Sequence, residues 1–555
     1  MRHSAQRLAF LLLASSLAAC GAGDGAGADP RGGTLVIASA GEPDLIFPAL
    51  AHTQSGRQIS DLVFERLAEI GDSLNTVGDA GFAPRLARSW AWAADSLSIA
   101  FSLDPRARWH DGRPVRAADV RFSFDVTRDS SLGSSSAELL GGVDSVQVRD
   151  SLTAVVWYRQ RSPEQFYDFV YQVPIAPAHV YGALPRQELR TAEVMRRPVG
   201  SGQFRFADWK PQQSLALVAD TTHYRGRPRL RGVTYLFSQQ FDLSLTRMLT
   251  SRADFLEIVP PAQLARVAAE SSVALLPYPG LQTSYLTFNL RKGPAAHPVL
   301  GERPVRLALS MAVDRQAMLQ NVFEGRGMLA VGPLPRAHPA ADPSVRLPAF
   351  DRARAGQLLD SAGWRLDAGG VRRRNGRPLA FSMLVPSSSA PRVRYAVLLQ
   401  QAFRDVGAQV TIDEVDFPTF FQRVGSGSFD AALHASGFDP SAGTMRQFWS
   451  AAAAGKGGGN IGAFISPAFD ATLDTALAAR DRAARRSALA RATQLLVDEA
   501  PAVWLYDVLT MGARSTRVQP AAMRADAWWA GLADWYIPEV ARPAETARAT
   551  AAATP

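Results

Sequence analysis

Cysteine is nearly absent from this chain: Cys20 is the only one among 555 residues. An internal disulfide is therefore excluded, and the folded chain must be stabilised by packing. Most lone cysteines are small buried hydrophobic residues. The glycine-rich stretch GAGDGAGADPRGG that follows Cys20 offers little to bury it, so this cysteine is predicted to have another role.

Long apolar runs are also scarce, and the one near the N-terminus is too short to cross a bilayer. It spans residues 8–17, about ten residues, whereas a membrane-spanning helix needs roughly twenty. Basic residues precede this run and the small residues Ala18 and Ala19 follow it, which is the order of a secretory signal peptide. We therefore predict a signal peptide over residues 1–19, followed by a soluble body.

The tetrapeptide LAAC, which ends at Cys20, resembles the lipoprotein box of bacteria. The resemblance implies that Cys20 is alkylated with diacylglycerol and becomes the N-terminus of the mature protein. Two or more acyl chains anchor a protein stably, whereas one chain binds a membrane only marginally. Residues 20–33 are then the lipidated cysteine and a flexible tether, and the predicted location is extracytoplasmic, with lipid as the only membrane contact.

Lysine is the next rare residue: 57 of the 60 basic residues are arginine, and the net charge is +9. Short basic runs such as RLRG and VRRRNGR lie in sequence typical of turns, without a basic helix or an aromatic platform. Because a basic helix or an aromatic platform usually accompanies nucleic-acid binding, we do not predict this function. The C-terminal end has low complexity, and residues 546–555 are predicted to be a disordered tail.

Catalytic signatures are missing as well. The chain has no GxSxG nucleophile elbow, no HExxH zinc motif and no GxxxxGKS/T phosphate-binding loop. GAGDGAG imitates a dinucleotide-binding pattern, but no strand precedes it. Asp413, Glu414 and Asp416 resemble paired catalytic carboxylates, but they lie on strand-like sequence whose alternation points some of them to solvent. The histidines are scattered without the spacing of metal ligands. We therefore predict no enzyme, no protein metal site and no cofactor.

The remaining body of roughly 520 residues is long enough for two or three domains. Ile99, Phe101 and Leu103 alternate with polar neighbours, which predicts a half-buried strand. SVQVRDSLTAVVWY predicts a hairpin at Arg149 and Asp150. The first third is therefore predicted to be rich in sheet.

Helices are predicted to dominate after residue 300. Asp314 and Asp351 are placed to cap helix N-termini, and Gly325 and Gly363 to end the same helices. A helix, a stop at Gly407 and a strand are predicted in RVRYAVLLQQAFRDVGAQVTIDEV. This order favours an α/β fold whose sheet is covered on its faces.

Several stretches resemble, in order, the solute-binding proteins of bacterial ABC importers, in particular the large peptide- and nickel-binding family. The most specific stretch is FAPRLARSWAWAADSLSIAFSLDPRARWHDGRPVRAADVRFSFD. Before it, GGTLVIASAGEPDLIFPAL and QISDLVFERLAEI resemble the opening strand, loop and helix of the family. After it come RPVGSGQFRFADW, YLTFNL, RPVRLALSMAVDRQAML, FDRARAGQLLDSAGW and SPAFDATLDTA.

The resemblance implies an α/β fold of periplasmic-binding-protein type II. Such a fold has two lobes joined by a hinge, a ligand cleft between the lobes, and here an extra α+β domain inserted in the first lobe. The chain is expected to cross between lobes near residues 290–298 and 500–507, and the lobes to close over a ligand. The implied boundaries are residues 34–65, 198–290 and 505–545 for lobe I, 66–197 for the inserted domain and 291–504 for lobe II.

The resemblance also suggests which lobe I residues meet a ligand. The loop AHTQSG takes the place of a loop that lines the pocket in peptide-binding members, which points to His52, Thr53 and Gln54. His110 and Asp111 of the WHDG motif suggest acid–base chemistry or metal binding by themselves. In the family this motif is structural and lies away from the cleft, so we expect both to be turn residues.

In lobe II, peptide-binding members use a Trp followed by an Asp that pairs with the ammonium group of the peptide. This chain has Phe438 and Asp439 in the corresponding stretch, HASGFDPSAGTMRQFW. Asp439 is either that acid or a turn-former before the following proline. Trp449, Asn460 and Phe464 flank the region and are predicted to complete the wall of an aromatic cleft.

These expectations combine into one hypothesis: a lipid-anchored, monomeric receptor that captures a small solute and delivers it to the permease of an ABC importer. A short peptide is the favoured ligand, because extended peptides bind such clefts by main-chain pairing. Tethering raises the effective concentration of the receptor at its transporter. Alternatives are a metal chelate, an oligosaccharide, an opine or an amino-acid derivative as ligand, a sensing role and, more distantly, an enzyme.

Overall fold

The structure is a computed structural model that describes residues 32–538 apart from 52, 135, 138, 294–296, 456–457 and 522. The predictions for the signal peptide, Cys20, His52 and the tail lie outside the described residues. Among the described helices, none combines the length and apolar character that a bilayer crossing requires.

The described chain opens with a buried strand and a capped helix. β1 (Thr34–Ser39) is followed by α1 (Gln54–Val63). Thr53 caps α1, because its hydroxyl oxygen accepts a hydrogen bond from the backbone nitrogen of Gly56 at 3.0 Å. Ile59 of α1 is fully buried, so this face of the helix packs in the core.

A separate unit of sheet and helix follows, and we refer to it as the inserted unit. Its four-stranded antiparallel sheet has the order β4-β5-β7-β6. The predicted alternation on β5 and the predicted hairpin of β6 and β7 are both confirmed. Its elements are β2 (Ala68–Ile70), β3 (Phe82–Pro84), β4 (Ala87–Trp92), β5 (Ser98–Leu103), α2 (Ala117–Thr127), β6 (Val143–Asp150), β7 (Thr153–Tyr158), α3 (Gln165–Gln172) and α4 (Ala178–Tyr181).

The chain then returns to the sheet that contains β1. β1 lies between β10 and β11 and is parallel to both, while β9 and β8 continue the sheet by antiparallel pairing. The elements of this segment are β8 (Phe204–Lys210), β9 (Ser214–Ala219), β10 (Gly232–Phe237), α5 (Phe241–Leu249), β11 (Phe255–Leu256), α6 (Leu264–Ala268) and β12 (Val273–Phe288).

The second half alternates helices and strands, as the sequence predicts. Asp314 and Asp351 each accept a hydrogen bond from a backbone nitrogen in the first turn of their helices. The helix after Asp314 has Phe323 as its last residue and Glu324 as its C-cap, and the predicted stop Gly325 follows with a left-handed φ of 76°.

The elements of the second half, in chain order, are α7 (Arg303–Met311), α8 (Arg315–Phe323), β13 (Met328–Leu329), α9 (Arg352–Ser361), β14 (Arg365–Leu366), β15 (Arg372–Arg374), β16 (Arg377–Pro378), β17 (Ala380–Pro386), α10 (Ala390–Arg404), β18 (Gln409–Val415), α11 (Phe417–Ser426), β19 (Ala431–Gly437), α12 (Thr444–Trp449), α13 (Pro467–Ala478), α14 (Arg482–Glu499) and β20 (Ala502–Ser515).

One mixed sheet runs through both halves, in the order β18-β17-β19-β12-β20-β11-β1-β10-β9-β8, with β13 beside β20. Its two long strands, β12 and β20, are antiparallel, and their register breaks between Pro279 and Thr283. From residue 282 onward, β12 also pairs with β19 of the second half. β12 therefore pairs with strands of both halves before residue 290, whereas the crossing expected from the sequence lies at residues 290–298.

The hydrophobic core shows how the inserted unit meets the second half. Buried residues of the inserted unit, such as Phe166 and Phe169, belong to the same cluster as Met445 of α12 and Leu489 of α14. The sheet around β1 has a core of its own, and so has the sheet around β17. The inserted unit therefore packs against the second half through buried apolar residues.

Candidate ligand-binding site

Polar side chains meet where α3 of the inserted unit faces the loop after β19, and we call this contact the seam. Asp439 lies at its centre. The hydroxyl of Tyr167 donates to Oδ1 of Asp439 at 2.5 Å, and Nε2 of Gln172 donates to Oδ2 at 3.1 Å. Burial raises the pKa of Asp439, and the hydrogen bond from Tyr167 acts in the opposite direction. The acid predicted to meet a ligand is thus already bonded to the inserted unit.

The turn-forming role left open for Asp439 is also visible in the structure. Its Oδ1 accepts a hydrogen bond from the backbone nitrogen of Ser441 at 2.9 Å. The ring of His338 bonds the carbonyl oxygen of Asp439 through Nε2 at 2.8 Å. Burial lowers the pKa of His338 to about 4, so the ring is neutral at neutral pH and donates this bond. The side chain and main chain of Asp439 are therefore both fixed.

A second buried acid, Glu164, completes the seam. Its Oε1 forms an ion pair with Arg485 of α14 at 2.8 Å and accepts a hydrogen bond from the hydroxyl of Thr76 at 2.6 Å. Its Oε2 accepts from the hydroxyl of Ser441 at 2.6 Å. Glu164 and Arg485 are 8% and 4% exposed, so the pair is screened little by solvent. The seam thus holds the inserted unit and the second half together.

Sequence reasoning missed the residues of the inserted unit that form the seam. Tyr167 and Gln172 lie on α3, and Glu164 immediately precedes it. The hydrogen bond between Tyr167 and Asp439 joins residues 272 positions apart. No local pattern predicts such a contact; the only sequence signal was an unusual density of polar and aromatic residues in this short helix.

The predicted lobe I residues lie at the start of α1. Thr53 and Gln54 are exposed. The hydroxyl of Thr53 donates to Oδ1 of Asp44 at 2.7 Å, and the same oxygen caps α1. This side chain therefore stabilises the start of the helix. Gln54 is the first residue of the helix and remains accessible.

Four predicted lobe II residues are buried around α12. The backbone nitrogen of Phe438 bonds the carbonyl of Leu281 at 2.7 Å, which extends the pairing of β12 with β19. The ring of Trp449 lies against Trp504, with ring centroids 5.0 Å apart. Asn460 and Phe464 bond each other through the Asn460 amide and the Phe464 backbone. The amide of Asn460 also donates to the carbonyl oxygen of Ser450, so it is bonded within its own loop, and the cleft-lining role of Asn460 and Phe464 stays a prediction.

The WHDG turn has the structural role that the sequence predicts. Gly112 adopts a φ of 87°, and Nδ1 of His110 accepts a hydrogen bond from the backbone nitrogen of Gly200 at 3.2 Å. Burial lowers the pKa of His110 to about 4. Asp111 pairs with the ring of His179 at 2.6 Å. The turn therefore fastens the inserted unit to the strand entry at Gly200.

Asp507 occupies the place where the two halves join. The hydroxyl of Thr283 donates to its Oδ1 at 2.5 Å, and the backbone nitrogen of Arg336 donates to its Oδ2 at 2.7 Å. Thr283 is its register partner at the break in β12. Burial raises the pKa of Asp507 to about 6. A titratable carboxyl thus sits between the connecting strands.

Two cavities lie away from the seam. One, of about 420 Å³, is lined by Arg315, Arg336 and Phe350 among others. The other, of about 480 Å³, lies beside Arg196 and Trp209. Neither is lined by a predicted ligand-binding residue. Within the described residues, no three His, Cys, Asp or Glu side chains are grouped to hold a metal ion.

Comparisons with known proteins identify the family. Residues 81–457, more than half of the chain, match the model of the bacterial extracellular solute-binding proteins, family 5, middle part. Protein XP55 of Streptomyces lividans is 28% identical over 503 residues, which cover 90% of this chain and 88% of that protein.

Solved structures show the same fold. The oligopeptide-binding protein AppA of Bacillus subtilis, in complex with a nonapeptide, has a TM-score of 0.75 at 20% identity, covering 92% of this chain and 100% of that chain. NikZ of Campylobacter jejuni, in complex with Ni(L-His), has a TM-score of 0.76 at 20% identity, covering 91% and 99%. The chain therefore belongs to family 5 of the bacterial extracellular solute-binding proteins, a family of transport proteins, and has their two-lobe α/β fold of periplasmic-binding-protein type II.

Proposed function

We propose that this protein captures a short peptide between its two lobes outside the cytoplasm and delivers it to the permease of an ABC importer. The observation that carries the proposal is the combination of two connecting strands, β12 and β20, with a polar seam on the side of α3. Two bodies joined by two strands can close and open like a hinge. The likeness to AppA supports a peptide as the solute.

The test of this function is to identify what the protein carries. Native mass spectrometry of protein purified from its own membranes reports a co-purified ligand by mass. Thermal-shift screening with short peptides, sugars and Ni(L-His) then compares ligand classes, because a ligand at 100 times its Kd adds about 2.7 kcal/mol of stability. We expect peptides to raise the Tm. If only sugars or chelates stabilise the protein, the proposal that its ligand is a peptide is overturned. If none of these compounds stabilises it, the proposal that it captures a solute is overturned.

A metal chelate is the second candidate ligand, because the TM-score to NikZ in complex with Ni(L-His), 0.76, is close to the 0.75 to AppA. The described residues offer no cluster of three metal-ligating side chains. A metal would therefore arrive with its own ligands and need few direct contacts. In the screen, a Tm increase with Ni(L-His) and none with free histidine would favour this candidate.

We also propose that Cys20 carries the lipid anchor. The support is the apolar run, the LAAC sequence and the glycine-rich stretch after it. In a Cys20→Ser variant we expect the protein to leave the membrane fraction, and mass spectrometry of the wild-type N-terminus to show diacylglycerol. Retention of the variant in membranes would contradict the anchor.

A further inference from the structure

A cavity of about 420 Å³ lies in the second half of the chain, where β13 pairs with β20. Its lining comes from the first turn of α8, from β13 and from the loop of residues 343–350. Pockets that bind small molecules have volumes of this order. Arg315, Arg336 and Arg346 are among the lining residues, and we therefore call it the arginine cavity.

The guanidinium groups of these three arginines lie at the wall of the cavity. Each donates a hydrogen bond to the carbonyl oxygen of another lining residue: Arg315 to Pro348 at 3.2 Å, Arg336 to Leu329 at 3.5 Å, and Arg346 to Pro343. Within the described residues, the guanidinium group of Arg336 forms no other hydrogen bond, so most of its N–H groups are left for a solute. Arg336 and Arg346 are exposed, so a solute reaches the cavity from their side.

The positive charge of the cavity is only partly matched by negative charge. Among the described residues, no Asp or Glu forms an ion pair with Arg315, Arg336 or Arg346. Asp314 is the one acid in the lining, and its Oδ1 already caps α8. The charge of Asp507 acts on that of Arg336, but this carboxylate bonds the backbone of Arg336 and not its guanidinium group. An anion that enters the cavity would supply the missing charge.

The remainder of the lining is largely apolar. Its apolar members include Val313, Leu329, Val331, Val345, Leu347 and Phe350. An inorganic anion would leave this part of the wall in contact with water. An organic acid would cover it with its apolar body, which removes apolar surface from water.

We propose that the arginine cavity binds a small organic acid, whose carboxylate meets the guanidinium groups and whose apolar body covers the wall. Guanidinium and carboxylate groups match in geometry, since two parallel hydrogen bonds join them. The site is distinct from the proposed peptide cleft, because no residue predicted to meet a peptide lines it. Nε of Arg315 donates to the carbonyl oxygen of Trp504 at 2.7 Å, so the wall is bonded to a strand that joins the two halves.

The test compares three probes by calorimetry on the full detergent-solubilised protein. Benzoate has both the charge and the apolar body, benzamide has nearly the same shape without the charge, and inorganic phosphate has the charge alone. We expect benzoate to bind about tenfold more tightly than either of the others. Equal binding of benzamide would overturn the role of the charge, and equal binding of phosphate would overturn the role of the apolar wall. Absence of benzoate binding would overturn the site.

Arg336→Gln and Arg346→Gln are the diagnostic variants, and Arg394→Gln is their matched control. Arg394 is also exposed and also donates to a carbonyl oxygen, that of Asn321 at 2.9 Å, but it does not line the cavity. We expect each diagnostic variant to weaken benzoate binding by about fivefold, while benzamide binding and the Tm without ligand stay unchanged. The control should bind benzoate as the wild type does. Wild-type affinity for benzoate in both diagnostic variants would overturn the proposal.

A competition experiment separates this site from the peptide cleft. We expect saturating Ala-Leu-Ala to leave the affinity for benzoate unchanged. Displacement of benzoate by the peptide would place the cavity within the peptide site and overturn a separate site. If the protein binds benzoate but no peptide, the proposed peptide capture fails and the arginine cavity stands.

Discussion

A single carboxyl group at the junction of the halves, Asp507, makes stability depend on pH. It is 4% exposed, and its pKa is about 6 in the folded protein against 3.8 for an ordinary aspartate. Because the folded value is the higher one, folding favours the protonated form. The contribution of Asp507 to stability is therefore complete below about pH 3.8 and is lost as the pH rises through about 6.

We expect Asp507→Asn to stabilise the protein at pH 8 and to have little effect at pH 4. An asparagine can donate to the Thr283 hydroxyl and still accept from the backbone nitrogen of Arg336, so both bonds persist. Removing a charge that costs about 3 kcal/mol at pH 8 should raise the Tm there. Thermal unfolding between pH 4 and 8 measures this effect.

The control is Asp242→Asn, because Asp242 is 78% exposed at its side chain and pairs only with the exposed Arg266. We expect no pH-dependent change in this variant. A Tm difference between Asp507→Asn and wild type that is the same at every pH would show that the effect does not come from titration.

At the scale of elements, one glycine, Gly200, allows three segments to meet: α1, the WHDG turn and the stretch before β8. A Cβ at Gly200 would lie 1.9 Å from the carbonyl oxygen of Val63, the last residue of α1. The carbonyl of Gly200 also accepts a hydrogen bond from the backbone nitrogen of His110. Three separate stretches of chain therefore meet at a point with no room for a side chain.

We expect Gly200→Ala to lower the free energy of unfolding by about 3 kcal/mol, because the backbone must move to admit the methyl group. Gly141→Ala is the matched control, since a Cβ there meets nothing within 4 Å. Urea unfolding of both variants measures the difference. Equal stability of the two variants would mean that the backbone around Gly200 moves at little cost in free energy, which would contradict the prediction.

At the scale of the whole molecule, the buried pair of Glu164 and Arg485 links the inserted unit to the second half. We expect Glu164→Gln and Arg485→Met each to destabilise by about 3 kcal/mol, because each leaves a buried charge without its partner. The double variant should lose less than the sum, since it leaves no charge unpaired. Urea unfolding gives the coupling, and small-angle scattering should show a larger radius of gyration in the single variants.

The exposed pair of Arg446 and Asp474 provides the control cycle, because their side chains are 51% and 66% exposed. Surface pairs contribute little, so we expect a coupling below about 1 kcal/mol for Arg446→Met and Asp474→Asn. A coupling for Glu164 and Arg485 as small as this one would contradict the role of the seam in holding the inserted unit and the second half together.

The pairing of the long strands also revises the proposed division of the molecule. We propose that lobe I passes to lobe II between Pro279 and Thr283, and that the chain returns between residues 507 and 509 of β20. The inserted domain is proposed at residues 66–197, which contain the separate four-stranded sheet. Closure would then bend the molecule at the register break.

Much of the local structure was predictable from the sequence. The alternation at Ile99 and Phe101, the caps Asp314 and Asp351, and the stop at Gly363 depend on residues a few positions apart. The site was less predictable. The resemblance to a family pointed to Asp439 as a candidate. Its hydrogen bonds to α3 could not be predicted, because no sequence pattern relates two segments so far apart in the chain.

The sequence by itself determined the order of helices and strands, the absence of disulfides and the family, since each follows from short-range patterns or from residue types in order. Only the tertiary structure decided that β12 and β20 pair with strands of both halves, and that Asp439 and Glu164 are engaged across the seam. The physical reason is that these contacts join residues hundreds of positions apart. Their geometry depends on how whole sheets pack, which no local hydrogen bond or side-chain period specifies.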